Sequence, residues 1–256
     1  MIFYFFINFI SYFNLNQTTM KNLFLSLLII LNFSSYSQTL VFDQMFVKAH
    51  DVDLYDSYLK DHFSKIMGDR VESGSLYAWD VWKVIQNPQE DFTHMLTFIY
   101  DFDREDTEWE SPFSEIVNDA IMKDISSIRD RVGRFKLNGL AFARKDGAPS
   151  VPNIMVANFM KVKDNLYASY EKAEINGTKK IDKDDLRVGW NFHRRLDDYG
   201  SDTYFSHVTI DWYDSYRDYL KTSMGDLSDN ADSDWDKLRD LKKRVAMRKF
   251  LSITND

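Results

Sequence analysis

The sequence predicts an α+β protein built from two tandem β-α-β-β-α-β units, and three observations carry that prediction. The stretch "FTHMLTFIYDFDRE" (92–105) is repeated as "FSHVTIDWYDSYRD" (205–218): Phe, Ser or Thr, His, a run to Tyr-Asp, two spacers, Arg and an acid. A shift of 113 residues also lays "FVK" (46–48) on "FMK" (159–161) and "IRDRV" (128–132) on "LKKRV" (241–245). With small slips, "LYDSY" at 54 meets "LYASY" at 166 and "AWDVW" at 78 meets "GWNFH" at 189. Between the copies lies "RKDGAPSVPN" (144–153), whose prolines and glycine mark a linker. The repeats are therefore expected at 38–143 and 154–256.

Within the first copy the hydrophobic period changes in order. Residues 40–49, "LVFDQMFVKA", read as a strand. Leu54, Tyr58, Leu59, Phe63, Ile66 and Met67 then recur at helical spacing behind Asp51 or Asp53 as the cap. The β-branched and aromatic runs 75–85 and 92–101, separated by "QNPQED", predict a hairpin. Ser111 and Pro112 start a second helix with Phe113, Ile116, Val117, Ala120, Ile121 and Ile128 on its apolar stripe. A short strand near "RFKLNGLAF" ends the unit. This order is the split, ferredoxin-like form, whose helices cover one sheet face and leave the other to find a partner.

Two such units in one chain resemble the dimeric α/β-barrel superfamily, with both halves fused. The His, Tyr-Asp and Arg pattern ending the third strand resembles the NIPSNAP-type branch and, more distantly, the antibiotic-biosynthesis monooxygenases. That resemblance implies small-molecule chemistry without a cofactor, oxygenase-like or isomerase-like. Chlorite-dismutase-like proteins also fuse two units and use a histidine to hold haem, but no haem-specific motif occurs here, and no cofactor is expected.

Composition sets limits. There are 32 Lys and Arg against 40 Asp and Glu, a net charge of −8, so nucleic acid is not an expected partner. The absence of cysteine excludes a disulfide framework and a thiolate nucleophile. Residues 1–37 carry only Lys21 and read as an upstream extension plus a signal peptide, with a start at Met20, the run "LFLSLLIIL", and cleavage before Gln38. A secreted or periplasmic protein is expected, with no membrane span in its mature form and with oligomerisation allowed. Asp226, Ser228 and Asn230 begin a calcium-loop spacing, but Ala231 replaces the turn glycine and Lys237 the bidentate acid, so it fails.

Strand alternation separates two faces. In the third strands Met95, Thr97 and Ile99, with Val208, Ile210 and Trp212, are assigned to the helices. His94, Leu96, Phe98 and Tyr100, with His207, Thr209, Asp211 and Tyr213, are expected to line the space between the sheets. In the second strands Asp80 and Trp82 join His94, and Arg187, Asn191 and His193 join His207, with His193 directly opposite His207. On this reading His207, Asp211 and Asn191 are candidate acid–base residues. His94, Trp82, Asp80, Tyr100, His193, Arg187 and Tyr213 are candidate ligand contacts for a small, partly apolar molecule bound between sheet and helices. Two histidines and an aspartate could alternatively hold a divalent metal in an open site, but no metal is expected. The bland alternatives are a histidine that hydrogen-bonds within the fold and a non-catalytic cell-envelope interaction module with a filled interior.

Overall fold

A computed structural model describes residues 40–86, 91–102, 119–177, 181, 185–197, 203–226 and 235–254. The segment 1–37 expected to direct export, the start of the predicted second helix at Ser111, Arg104 and the failed calcium spacing at 228–231 lie outside the described residues.

The first copy runs β1 (Leu40–Ala49), α1 (Val52–Tyr58), a π-helical segment (Leu59–Phe63), α2 (Ser64–Glu72), β2 (Ala78–Gln86), β3 (His94–Asp101), α3 (Asp119–Ile128) and β4 (Arg129–Arg144). The second runs β5 (Ile154–Val162), α4 (Tyr167–Gly177), β6 (Gly189–Arg195), β7 (His207–Tyr213), α5 (Tyr216–Asp226), α6 (Trp235–Leu238) and β8 (Arg239–Thr254). Asp51 is the N-cap of α1, its Oδ1 accepting the Leu54 N–H at 3.0 Å. Buried side chains in this helical stretch recur every four residues at Tyr55, Leu59, Phe63, Met67 and Val71, with Ile66 beside them. A 3.6-residue helix would rotate that row steadily off the sheet, and the wider π turn at 59–63 absorbs the drift. Leu54, expected on the buried stripe, is exposed.

Among the described residues, eight strands close into one antiparallel barrel in the order β1-β3-β2-β8-β5-β7-β6-β4. The last strand of each copy was expected to be short, and both are 16 residues long. Their length closes the barrel. The first part of β4 pairs with β1 of its own copy and the end with β6 of the other. β8 pairs likewise with β5 and then β2. The sheets therefore do more than face each other: they join edge to edge, and no strand edge is left open.

The copies repeat in detail. A bulge between Phe46 and Val47, opposite Arg131 and Gly133, recurs between Phe159 and Met160, opposite Leu241 and Lys243. That bulge sets the correspondence of the last strands: Arg129 matches Arg239 and Arg134 matches Arg244, three residues away from the sequence match of 128–132 with 241–245. The first helices are also offset by about a turn from the "LYDSY"/"LYASY" match, so that Tyr55 corresponds to Tyr170 and Leu59 to Glu174. Each of these tyrosines is buried edge-on to its copy's histidine, Tyr55 at 5.0 Å from His94 and Tyr170 at 5.3 Å from His207.

Two kinds of core result. Outside the barrel, Trp79, Val81, Leu96, Phe98 and Tyr100 pack beneath α1 and α2, while Trp190 and Phe192 pack against Tyr170 beneath α4. Inside it, Phe46, Phe92, Phe135, Phe159 and Phe205 stack or meet edge-on at 4.3–5.7 Å. Arg195 and Lys243 cover this cluster through cation–π contacts. This aromatic plug fills one end of the barrel and leaves the other for a cavity.

Candidate functional site

The third-strand faces are the reverse of the sequence expectation. His207 pairs across the hairpin with Arg194, and His193 with Val208. A register one residue from the expected one moves every side chain of a strand to the opposite face. Met95, Thr97, Ile99, Val208, Ile210 and Trp212 thus point into the barrel, and His94, Tyr100, His207, Asp211 and Tyr213 point out toward the helices.

The two outward histidines tie strand to helix. Thr93 Oγ1 lies 2.8 Å from His94 Nδ1, and His94 Nε2 lies 3.0 Å from Asp56 Oδ1 on α1. Lys83, the cross-strand neighbour of His94, binds the same carboxylate at 2.5 Å. In the second copy Ser206 Oγ meets His207 Nδ1 at 3.0 Å and His207 Nε2 meets Glu171 Oε1 on α4 at 3.0 Å, with Arg194 on the same carboxylate. Base, imidazole and acid form the same clamp twice. Both nitrogens of each ring are occupied, so His207 is not free to act as a general base. Burial holds the His94 pKa below its ordinary value, against the opposing pull of Asp56. His193 and His207 lie on opposite faces and cannot share a metal, and no cluster of three or more potential ligands occurs among the described residues.

Asp211 and Arg187 belong to a network on the outer face. Asp211 accepts from Asn158 Nδ2 at 2.8 Å and Arg187 Nη1 at 3.3 Å, while Asp185 also holds Arg187 and Arg244 Nε donates to Asn158 Oδ1. Burial raises the pKa of Asp211, and Arg187 opposes it. Arg217, the arginine of the repeated motif, is exposed on α5.

Of the sequence-predicted residues, Asp80, Trp82, Asn191 and His193 line the barrel interior. They border a cavity of about 370 Å³ at the end away from the aromatic plug. Asp80 in β2 corresponds to Asn191 in β6, and Trp82 to His193, so the copies differ where they face the cavity. Gln44, Thr97, Ile99, Ile210 and Trp212 line it as well and were missed as site residues. The linker reaches the cavity through Ser150 and Val151, and Lys249 Nζ holds the Val151 carbonyl at 2.5 Å.

Three cavity side chains carry buried polar atoms with no protein partner: Gln44 Oε1, both nitrogens of His193, and Trp212 Nε1. The His193 ring is 0 % exposed and lies between Phe42 at 4.6 Å and Phe142 at 5.8 Å. Gly139 makes this box possible, since a Cβ there would come within 2.4 Å of the Phe142 ring. Burial alone pushes the His193 pKa down to about 3, which keeps the imidazole neutral.

Asp80 is the acidic group of the cavity. Ser252 Oγ donates to its Oδ1 at 2.6 Å. Burial pushes its pKa up to about 6, against smaller opposing pulls from the Ser252 hydrogen bond and the Lys249 charge. A carboxyl raised above its unfolded pKa stabilises the fold below that unfolded value and loses the contribution as pH rises through the folded one. Stability is therefore expected to fall between pH about 4 and about 6 from this residue. Asp80→Asn, which installs the second copy's own residue, is expected to flatten that slope and to add about 2 kcal/mol at pH 8. Urea unfolding at pH 4, 6 and 8 measures it.

The fold is that of the dimeric α+β barrel. A candidate monooxygenase from Lactobacillus acidophilus is 12% identical, with a TM-score of 0.52, over 85% of this chain and 97% of that one. A candidate monooxygenase from Fusobacterium nucleatum is 15% identical, TM-score 0.50, over 86% and 96%. An anthrone oxidase-like protein is 10% identical, TM-score 0.57, over 86% and 94%. These are likenesses of fold. No family model and no curated protein matches the sequence. Among the described residues no helix is long and apolar enough to cross a membrane.

Proposed function

We propose that the chain binds a small, largely apolar molecule inside the barrel and that Asp80 exchanges a proton with it. The observation that carries the reading is the convergence of orphaned polar atoms from Gln44, His193 and Trp212 on one cavity. Buried polar groups normally find a partner, and an apolar cavity with a few convergent polar groups is the usual form of a small-ligand site. The cavity size lies within the range of such sites, roughly 300–1,000 Å³. A filled interior would have favoured the interaction-module alternative.

Asp80 suits isomerase-like chemistry. Its carboxylate takes a proton from a carbon acid beside a carbonyl and returns it at a second position, which needs no redox partner. The neutral His193 ring donates one hydrogen bond to the carbonyl oxygen where negative charge develops. Oxygenase-like chemistry, of the kind named for two of the fold neighbours, would add dioxygen as the oxidant. Kinship with the NIPSNAP-type branch and export through residues 20–37 form part of the same reading.

Native mass spectrometry of protein taken from its own cell envelope tests it. The native mass is expected to exceed the denatured mass by one small organic molecule. Equal masses, after allowance for water, would count against a resident ligand.

A further inference from the structure

We infer that the first copy holds a second binding site, on the outer face of its sheet beneath α1 and α2, for a small organic carboxylate with an apolar body. A cavity of about 230 Å³ lies there, walled by Met45, Leu59, Phe63, Met67 and Phe98. Arg129, Arg131 and Arg134 from β4 line it too. Arg134 is already matched, forking onto Asp43 through Nε and Nη2 at 2.7–3.2 Å. Among the described residues no carboxylate lies within 4.0 Å of Arg129 or Arg131. Arg129 Nε and the indole Nε1 of Trp79, which also lines the cavity, are buried without a partner, and Trp79 is 0 % exposed.

The second copy shows what is missing. There the positions of Leu59 and Phe98 are held by Glu174 and Asp211, both carboxylates. Arg239, the counterpart of Arg129, pulls the Glu174 pKa down against its burial, and Arg187 and Asn158 bind Asp211. The second copy thus sets a carboxylate of its own chain, Glu174, near Arg239, although Arg239 Nε is buried without a hydrogen-bond partner as Arg129 Nε is. The first copy has Leu59 in place of Glu174 and keeps the matching arginine as Arg129, whereas Arg187, the partner of Asp211, is itself replaced by the buried Leu76; a carboxylate facing Arg129 would therefore come from a ligand. Guanidinium groups bind carboxylates through paired N–H donors, and the apolar walls accept the remainder of the molecule. Leu59 and Phe63 bound the π-helical segment, an irregularity often found at binding sites.

Octanoate is the probe, with 1-octanol as its uncharged counterpart, titrated into the full chain by calorimetry and tryptophan fluorescence. Saturable octanoate binding is expected, at least tenfold tighter than 1-octanol and at least tenfold weaker in Arg129→Gln/Arg131→Gln. His193→Phe, altered on the inner face, should leave octanoate binding unchanged, which separates this site from the barrel cavity. Should the double variant fail to fold, Arg131→Gln, at an exposed position, is expected to weaken binding at least threefold. No saturable binding, equal affinity for acid and alcohol, or insensitivity to the arginine changes would overturn the inference.

Discussion

His207→Ala is expected to cost about 3–4 kcal/mol of stability and to leave binding in the barrel cavity unchanged. The ring is fully buried, meets Tyr167 and Tyr170 edge-on at 5.0 and 5.3 Å, and stacks on Phe192 at 5.6 Å. Truncation removes those contacts and opens a hole that the barrel wall cannot collapse to fill. It also removes one partner of the Ser206 hydroxyl, which keeps the Val162 N–H and the Met160 carbonyl, and leaves Glu171 to Arg194 alone. His207→Gln keeps a polar tip within reach of Glu171, and its expected cost is about 1–2 kcal/mol. Chemical denaturation of both variants, with titration of the ligand retained by the wild type, separates clamp from catalyst. A variant as stable as the wild type but unable to bind would return His207 to the site.

The opposite pattern is expected for His193→Phe. Replacing an unpartnered buried imidazole with an apolar ring of similar shape removes two unsatisfied polar atoms, and a gain of about 1–2 kcal/mol follows. An aromatic side chain is already accepted at the corresponding place in the first copy, where Trp82 stands 5.3 Å from Trp212. Affinity for the cavity ligand is expected to fall at least about 100-fold, because the ligand's polar group then faces a hydrocarbon wall. The acid side of the stability profile should change as well. A histidine held at a pKa of about 3 when folded, against 6.5 unfolded, favours the fold above pH about 6.5 and loses that advantage as pH falls. The Phe variant should therefore be less sensitive to acid between pH about 6 and 4. Thermal melts across that range, together with the binding titration, measure both effects.

The duplication, the order of elements and the α+β class were legible because hydrophobic period and turn residues are local properties. Second-strand parity was legible too: Trp79 and Val81, like Trp190 and Phe192, flank more polar residues, and the alternation has one sensible reading. The third strands gave no such help. In His94–Asp101 each face mixes apolar residues with two polar ones, His94 and Tyr100 on one and Thr97 and Asp101 on the other, so alternation could not say which faced the helices. The connections between second and third strands did not set the pairing, and a one-residue error reversed the face. In β7 the polar set His207, Thr209 and Asp211 has the pattern of a pocket lining in the sequence. It is polar because Glu171 on α4, with Asn158 and Arg187, satisfies it from the helix side. What the copies share, the paired histidine clamps, maintains the fold. Where they differ, Trp82 against His193 and Asp80 against Asn191, the cavity lies. The length of β4 and β8 was hidden because their outer halves pair with the other copy, a non-local fact that no window of sequence contains.

The most direct test of the barrel-interior account is a crystal structure of the protein purified from its native source, refined well enough to separate water from an organic molecule. The account predicts continuous density beside Trp82 and Trp212, with a polar atom within hydrogen-bonding distance of His193 and another facing Asp80. A cavity holding only waters that bridge Gln44, His193 and Trp212, or one closed by a shifted Phe142, would contradict it.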